Sequence, residues 1–150
     1  MSDAATPPGL WTAPDAATID AIVAETRFDA NGLVAAIAQA SSPDRDILMV
    51  AWMNEAALRE TLRTGRVCYF SRSRQALWRK GESSGQVQHL AGLRLDCDGD
   101  AVLLEVAQTG VACHTGRRSC FYRAATPEGL VTLTEPEVSP EALYGSRAGA

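Results

Sequence analysis

Three of the four cysteines lie between residues 97 and 120, each beside partners that suit a metal. Cys97 sits inside Asp96-Cys97-Asp98-Gly99-Asp100. Cys113 opens the segment Cys113-His114-Thr115-Gly116-Arg117-Arg118-Ser119-Cys120. Soft thiolates select zinc-like ions, whereas an all-oxygen cluster selects magnesium, calcium or manganese. The pattern suggests two metal sites built into one another, and a metal-dependent enzyme is the first expectation.

On an extended chain alternate side chains share a side. Asp96, Asp98 and Asp100 are therefore expected on one face and Cys97 on the other. Three such carboxylates repel one another unless a cation lies between them; a solvated acidic turn is the plainer reading of a generic Asp-x-Asp-x-Asp. An EF-hand is excluded. Its loop needs Gly at the sixth position and Glu at the twelfth, and counting from Asp96 those positions hold Ala101 and Ala107.

The Cys113 to Cys120 spacing is not that of a zinc finger. With Cys97 the pair offers three thiolates, one short of a closed structural site, and three protein ligands with an open fourth position describe a catalytic zinc. Cys68 or His114 could instead close the site. Cys68 lies in the apolar stretch Val67-Cys68-Tyr69-Phe70 and reads as a small core residue. His114 directly follows Cys113, and adjacent residues rarely both reach one ion. Because histidine titrates near neutrality, His114 is the candidate general base; a hydrogen bond within its own loop is the alternative. His89, next to Leu90, reads as structural.

Arg72, Arg74, Lys80, Arg117 and Arg118 lie among glycines and serines, Ser83 and Ser84 included. Such loops offer backbone amides and hydroxyls to a phosphate. A charge run is usually a solvated face, but a local basic excess in a chain of net charge −4 points to an anionic substrate. That overall charge argues against non-specific nucleic-acid binding. No apolar run approaches a membrane span.

The elements that must position these residues follow from periodicity and caps. A length of 150 residues with 46% hydrophobic and 21% charged residues suits one ordinary globular domain. Residues 1–25 read as a flexible tail with a short helix from Asp15 to Ala24, 26–135 as the domain, and 136–150 as a loose tail. Strands are expected at 33–39 and 47–53 as a hairpin, then at 67–71, 87–95, 101–108, 120–123 and 130–134. Asn54 caps a helix through Leu62, and Gly65 stops it. The stretch 71–85 reads as a structured loop. The fold class expected is α+β, mostly antiparallel. The N-terminus shows no basic-then-apolar export signal, so the expected compartment is the cytoplasm. Thiols stay reduced there, and clustered cysteines point to metal or catalysis.

Several long segments in this order resemble one family. Leu48-Met49-Val50-Ala51-Trp52-Met53-Asn54, Tyr69-Phe70-Ser71-Arg72-Ser73-Arg74, Leu77-Trp78-Arg79-Lys80-Gly81-Glu82-Ser83-Ser84-Gly85, Arg94-Leu95-Asp96-Cys97-Asp98-Gly99-Asp100 and residues 113–121 are similar to phosphoribosyl-AMP cyclohydrolase of histidine biosynthesis. The resemblance covers roughly residues 28–124. It implies zinc held by Cys97, Cys113 and Cys120, magnesium held by Asp96, Asp98 and Asp100, and a homodimer whose zinc site draws ligands from both chains. It implies hydrolysis of the N1–C6 bond of the adenine ring of phosphoribosyl-AMP, giving the phosphoribosylformimino-aminoimidazole carboxamide ribotide. His114 would assist the attacking water, and the basic Ser/Gly loop would hold phosphate. Some members carry a further C-terminal pyrophosphohydrolase domain; this chain resembles the single-activity form. A zinc-stabilised binding module and another purine-ring hydrolase are the competing expectations, and a substrate assay separates them.

Overall fold

The computed structural model describes residues 11–144; the outer parts of both expected tails, 1–10 and 145–150, lie outside the described residues. The early helix is α1 (Ala16–Glu25). Its cap is Asp15, whose carboxylate accepts the Thr18 amide at 2.8 Å. Helix α2 (Glu55–Thr64) starts at the expected Asn54 cap and ends at Gly65, whose φ of +75° is a left-handed conformation that glycine adopts at least cost. Leu58 and Leu62, one turn apart, are fully buried, which contributes roughly 1.5–3 kcal/mol each.

Strands β1 (Val34–Ala40) and β2 (Ile47–Met53) form the expected hairpin. Strands β3 (Cys68–Ser71) and β4 (Ala76–Arg79) follow, then β5 (Gln88–Leu95) and β6 (Ala101–Gln108). The main sheet has the order β2-β1-β6-β5. β1 runs parallel to β6 and every other pairing is antiparallel. The α+β, mostly antiparallel class therefore holds, with one parallel pairing at the sheet's centre. Alternate residues Val34, Ala36, Ala38 and Ala40 of β1 and Val102, Leu104 and Val106 of β6 are buried. They share one core with Ile19 and Val23 of α1, Leu58 and Leu62 of α2, and Tyr69 of β3.

Two stretches differ from the expectation. The 71–85 loop contains β4, which pairs with β3 so that Tyr69 faces Trp78, their rings 5.4 Å apart. That aromatic cross-strand pair stabilises a strand too short to show a period among its polar neighbours. The late hairpin is β7 (Arg123–Thr126) with β8 (Gly129–Thr132), shifted from the expected 120–123 and 130–134. Cys120 is not part of it, because its amide donates to the Leu48 carbonyl at 2.7 Å and fastens that residue beside β2. Within 136–144, the Glu137 and Val138 amides both donate to the Gly116 carbonyl, at 2.8 and 3.2 Å. A short α3 (Pro140–Tyr144) then buries Leu143. This part of the expected loose tail is tied to the thiol-bearing loop.

His89 is 9% exposed and its Nδ1 has no hydrogen-bond partner among the described residues. Burial first, and the Arg66 guanidinium second, hold its pKa below the ordinary value. A depressed folded-state pKa means that the unfolded chain binds the proton more readily, so stability is present above the unfolded pKa and lost as pH falls through it. Urea denaturation should show stability falling below about pH 6.5. His89→Gln should flatten that fall; an unchanged pH profile in the variant would assign the effect elsewhere.

Candidate active site

The loop between β6 and β7 carries Cys113, His114 and Cys120. Its stem is closed by backbone bonds from the Ala112 amide to the Arg118 carbonyl and from Cys113 to Arg117, at 3.0 and 3.1 Å. Cys113 is buried, and its Sγ is hydrogen-bonded to Thr115 Oγ1 at 3.1 Å. Cys113 and Cys120 are brought close enough on this loop for each to lie in the other's electrostatic reach. Burial first, and then the neighbouring Cys113, push the Cys120 thiol up to about 12; Lys80 acts the other way. Two neighbouring thiols are a soft donor pair, and a soft cation would displace the proton that burial and Cys113 hold on Cys120.

Lys80 is 6% exposed, with its Nζ 5.8 Å from the centroid of the Trp78 ring. Burial depresses its pKa, while Cys120 and Cys113 oppose the shift. The lysine is thus a buried amine within electrostatic reach of the thiol pair. It also lines a hollow of about 100 Å³ with Arg74, Trp78, Gly81, Glu82, Ser83 and Ser84. The structure brings the expected Arg74, Lys80, Ser83 and Ser84 together there. Arg72 sits apart over the Trp52 ring at 4.8 Å, beside a second hollow lined by Asn31, Asn54 and Phe70.

Arg117 and Arg118 have other partners. Arg118 bonds Asp46 at 3.0 Å and Asp44 at 3.1 Å, fastening the thiol loop to the β1–β2 connection. Arg117 donates to the Thr134 carbonyl at 2.8 Å and stacks on Tyr122 at 4.0 Å. His114 is exposed on the same loop.

The acidic segment is a tight turn and not an extended run. Gly99, with φ +75°, folds it back, and the Asp100 amide donates to Asp96 Oδ1 at 2.9 Å. The expected alternation of Asp96, Asp98 and Asp100 on one face is therefore not realised. Desolvation works against the Asp96 carboxylate, but bonds from the Asp100 side chain and the Asp100, Ala101 and Gly99 amides outweigh it and hold its pKa low. Asp100 is pushed upward, first by its hydrogen bond with Asp96 and then by that residue's charge. The two carboxylates crowd each other here. Cys97 is exposed on this turn, beside a hollow of about 620 Å³ lined also by Glu25, Thr26 and Arg27. Among the described residues, no three His, Cys, Asp or Glu side chains of one chain gather to hold a metal. The structure unites Cys113 with Cys120 and leaves Cys97 elsewhere.

A model of phosphoribosyl-AMP cyclohydrolase matches residues 49–122. The phosphoribosyl-AMP cyclohydrolase of Gluconobacter oxydans (strain 621H) is 64% identical over 135 residues, covering 90% of this chain and 85% of that protein. The one from Granulibacter bethesdensis is 66% identical over 121 residues, covering 80% of this chain and 94% of its own length. The chain belongs to the phosphoribosyl-AMP cyclohydrolase family.

The cyclohydrolase match takes in the acidic turn, the thiol loop and Arg72, Arg74, Lys80, Arg117 and Arg118. Sequence reasoning missed a buried chain of polar side chains in the core. Tyr69, fully buried, donates its hydroxyl to Gln88 Oε1 at 2.6 Å, and Gln88 Nε2 donates to Gln108 Oε1 at 2.8 Å. Three glutamines at 86, 88 and 108 inside otherwise apolar strand ends were the available signal, since a buried amide must find partners. No helix among the described residues is long and apolar enough to cross a membrane.

Proposed function

We propose that this chain hydrolyses the N1–C6 bond of the adenine ring of phosphoribosyl-AMP, in histidine biosynthesis, as a zinc- and magnesium-dependent homodimer in the cytoplasm. The observation that carries the reading is the Cys113–Cys120 thiol pair within electrostatic reach of the buried Lys80 at the edge of a basic hollow. It occurs in a chain whose relatives bear that enzyme's name. The free state of all four cysteines supports a reducing compartment.

The donor set fits zinc if a third thiolate joins the pair. Cys97 is exposed and apart from the pair in its own chain, which supports delivery of Cys97 from a second copy. Bound zinc would supply Lewis-acid activation of water. The sugar on N1 leaves the ring electron-poor at C6, where attack forms a tetrahedral carbon. His114 takes the attacking water's proton. The imidazolium so formed can return a proton to N1 as the C6–N1 bond breaks, and the ring opens. Arg74, Ser83 and Ser84 hold phosphate, with Lys80 bridging that hollow and the thiols. Arg72 serves the other end of the substrate. Arg117 and Arg118 act by holding the loop, since the chain's own acceptors occupy them.

Asp96, Asp98 and Asp100 would hold magnesium once the turn closes around the ion. The crowding of Asp96 and Asp100 is what a divalent cation relieves, and hard oxygen ligands bind it loosely with water retained. Mild EDTA should therefore remove activity that added magnesium restores while zinc stays bound. Asp98→Asn should raise the magnesium needed for half-maximal rate. If it leaves that concentration unchanged, the turn is not the magnesium site.

The reading as a whole is tested by metal analysis, sedimentation at micromolar protein and a turnover assay on the same preparation. One zinc per chain, a dimer and ring opening followed by absorbance are expected. A zinc-loaded dimer that leaves phosphoribosyl-AMP intact would overturn the assignment.

A further inference from the structure

Side-chain amides connect the two loops that the proposed reaction needs. Gln86 follows the turn closed by the Gly85 amide on the Gly81 carbonyl at 2.8 Å. Its Oε1 accepts the Val111 amide at 2.8 Å, across 25 residues of chain. Its Nε2 donates to the Ser84 carbonyl at 3.2 Å, and its own amide donates to Ser84 Oγ at 3.2 Å. Gln108 ties the same strands together by donating to the Gln86 carbonyl at 3.1 Å and the Thr109 carbonyl at 2.8 Å. Gly110, at φ +67°, passes so close that a Cβ there would overlap Gln86 Oε1. The approach is possible because that residue has no side chain.

Val111 is 1% exposed and begins the stem of the thiol loop; the next two residues, Ala112 and Cys113, close that stem on Arg118 and Arg117. A buried amide needs an acceptor, and the acceptor for Val111 is a side chain from the serine turn. The Gln86 side chain thus touches both loops at once, through Val111 on one side and Ser84 on the other.

We propose that Gln86 is a positioning residue that locks the Cys113–Cys120 loop to the Ser83–Ser84 turn, fixing the distance between the groups that hold phosphate and those that attack the ring. What each loop holds rests on the function proposed above; the lock itself does not. A displaced attacking group should lower kcat, because reaction rate is sensitive to misplacement on the ångström scale. The proposed phosphate contacts, Arg74, Ser83 and Ser84, all lie outside the thiol loop and survive, so KM should hold.

The test compares Gln86→Met, of similar length but without the amide, with the unchanged full-length chain. Hydrogen exchange by mass spectrometry needs no bound metal. It should show residues 109–120 exchanging at least ~10-fold faster, with the rest of the chain as before. kcat should fall ~10-fold or more while KM stays within about threefold. Gln86→Glu keeps an acceptor for the Val111 amide and should retain more of the protection at 111 than Gln86→Met does. Exchange that is unchanged, or that accelerates evenly through the whole chain, overturns the lock. Local acceleration with an unchanged kcat overturns its link to the reaction. If the unchanged chain shows no turnover, the proposed function fails, and the exchange pattern still decides on the lock.

Discussion

Cys113→Ser should retain no zinc after dialysis and should turn over phosphoribosyl-AMP at least ~1000-fold more slowly than the unchanged chain. A serine hydroxyl is a hard, weakly acidic donor, so the substitution removes one of the two ligands that the structure already brings together. The side chain is buried, and the replacement is nearly isosteric, so the fold should persist; circular dichroism and metal analysis separate the two effects. Cys97→Ser should lose zinc equally, although Cys97 lies exposed on a different turn. Mixing the two inactive variants through unfolding and refolding gives the sharper result. A mixed dimer pairs an intact Cys97 from one copy with an intact Cys113 and Cys120 from the other, which rebuilds one of its two sites. Random pairing should then recover roughly a quarter of full activity in a twofold-symmetric dimer. Recovery of none would mean that all three thiolates come from one chain and would require the acidic turn to move.

His114→Ala should lower kcat by ~100- to 10,000-fold, the usual range for a general base, with zinc and magnesium retained. Thiolates donate strongly to a metal and leave it a modest power to acidify water, which gives a base more to do here than beside three imidazoles. Arg74→Ala gives the contrast: its side chain lines the hollow with Ser83 and Ser84, so KM should rise with kcat little changed. Metal-loaded His114→Ala running at the full rate would send the search for the base elsewhere. Lys80, the buried amine within electrostatic reach of the thiols, would be the next group to test.

Helices α1 and α2 were legible because their punctuation is local, whereas α3 falls in what read as a loose tail. Asp15, Asn54 and Gly65 each announce a terminus through a bond within a few residues. The β1–β2 and β5–β6 hairpins were legible from alternation. β4 was not, since its four residues gain their order from Tyr69 on the neighbouring strand. The acidic turn misled because alternation assumes an extended chain, and Gly99 at φ +75° breaks that assumption. The thiolates and aspartates could be named from type and spacing. That Cys97 stands apart from Cys113 and Cys120 could not, because it depends on how two hairpin ends are set in space. The basic residues look alike in sequence. Asp44 and Asp46, distant along the chain, occupy Arg118, whereas Lys80 is buried within electrostatic reach of the thiols.

The bonds from Glu137 and Val138 to Gly116 bear on how the chain tolerates fusion to another protein. Gly116 lies between Cys113 and Cys120 at φ +88°, and a Cβ there would overlap the Val138 carbonyl. The downstream segment is therefore a brace seated against the thiol loop. A partner joined rigidly just after α3 would pull on that brace, and through it on the spacing of the two thiols. Joined through a Gly/Ser linker, which behaves as a flexible coil, the same partner would transmit no such load. Linker stiffness at this end, more than the size of whatever is attached, sets whether the loop keeps its shape.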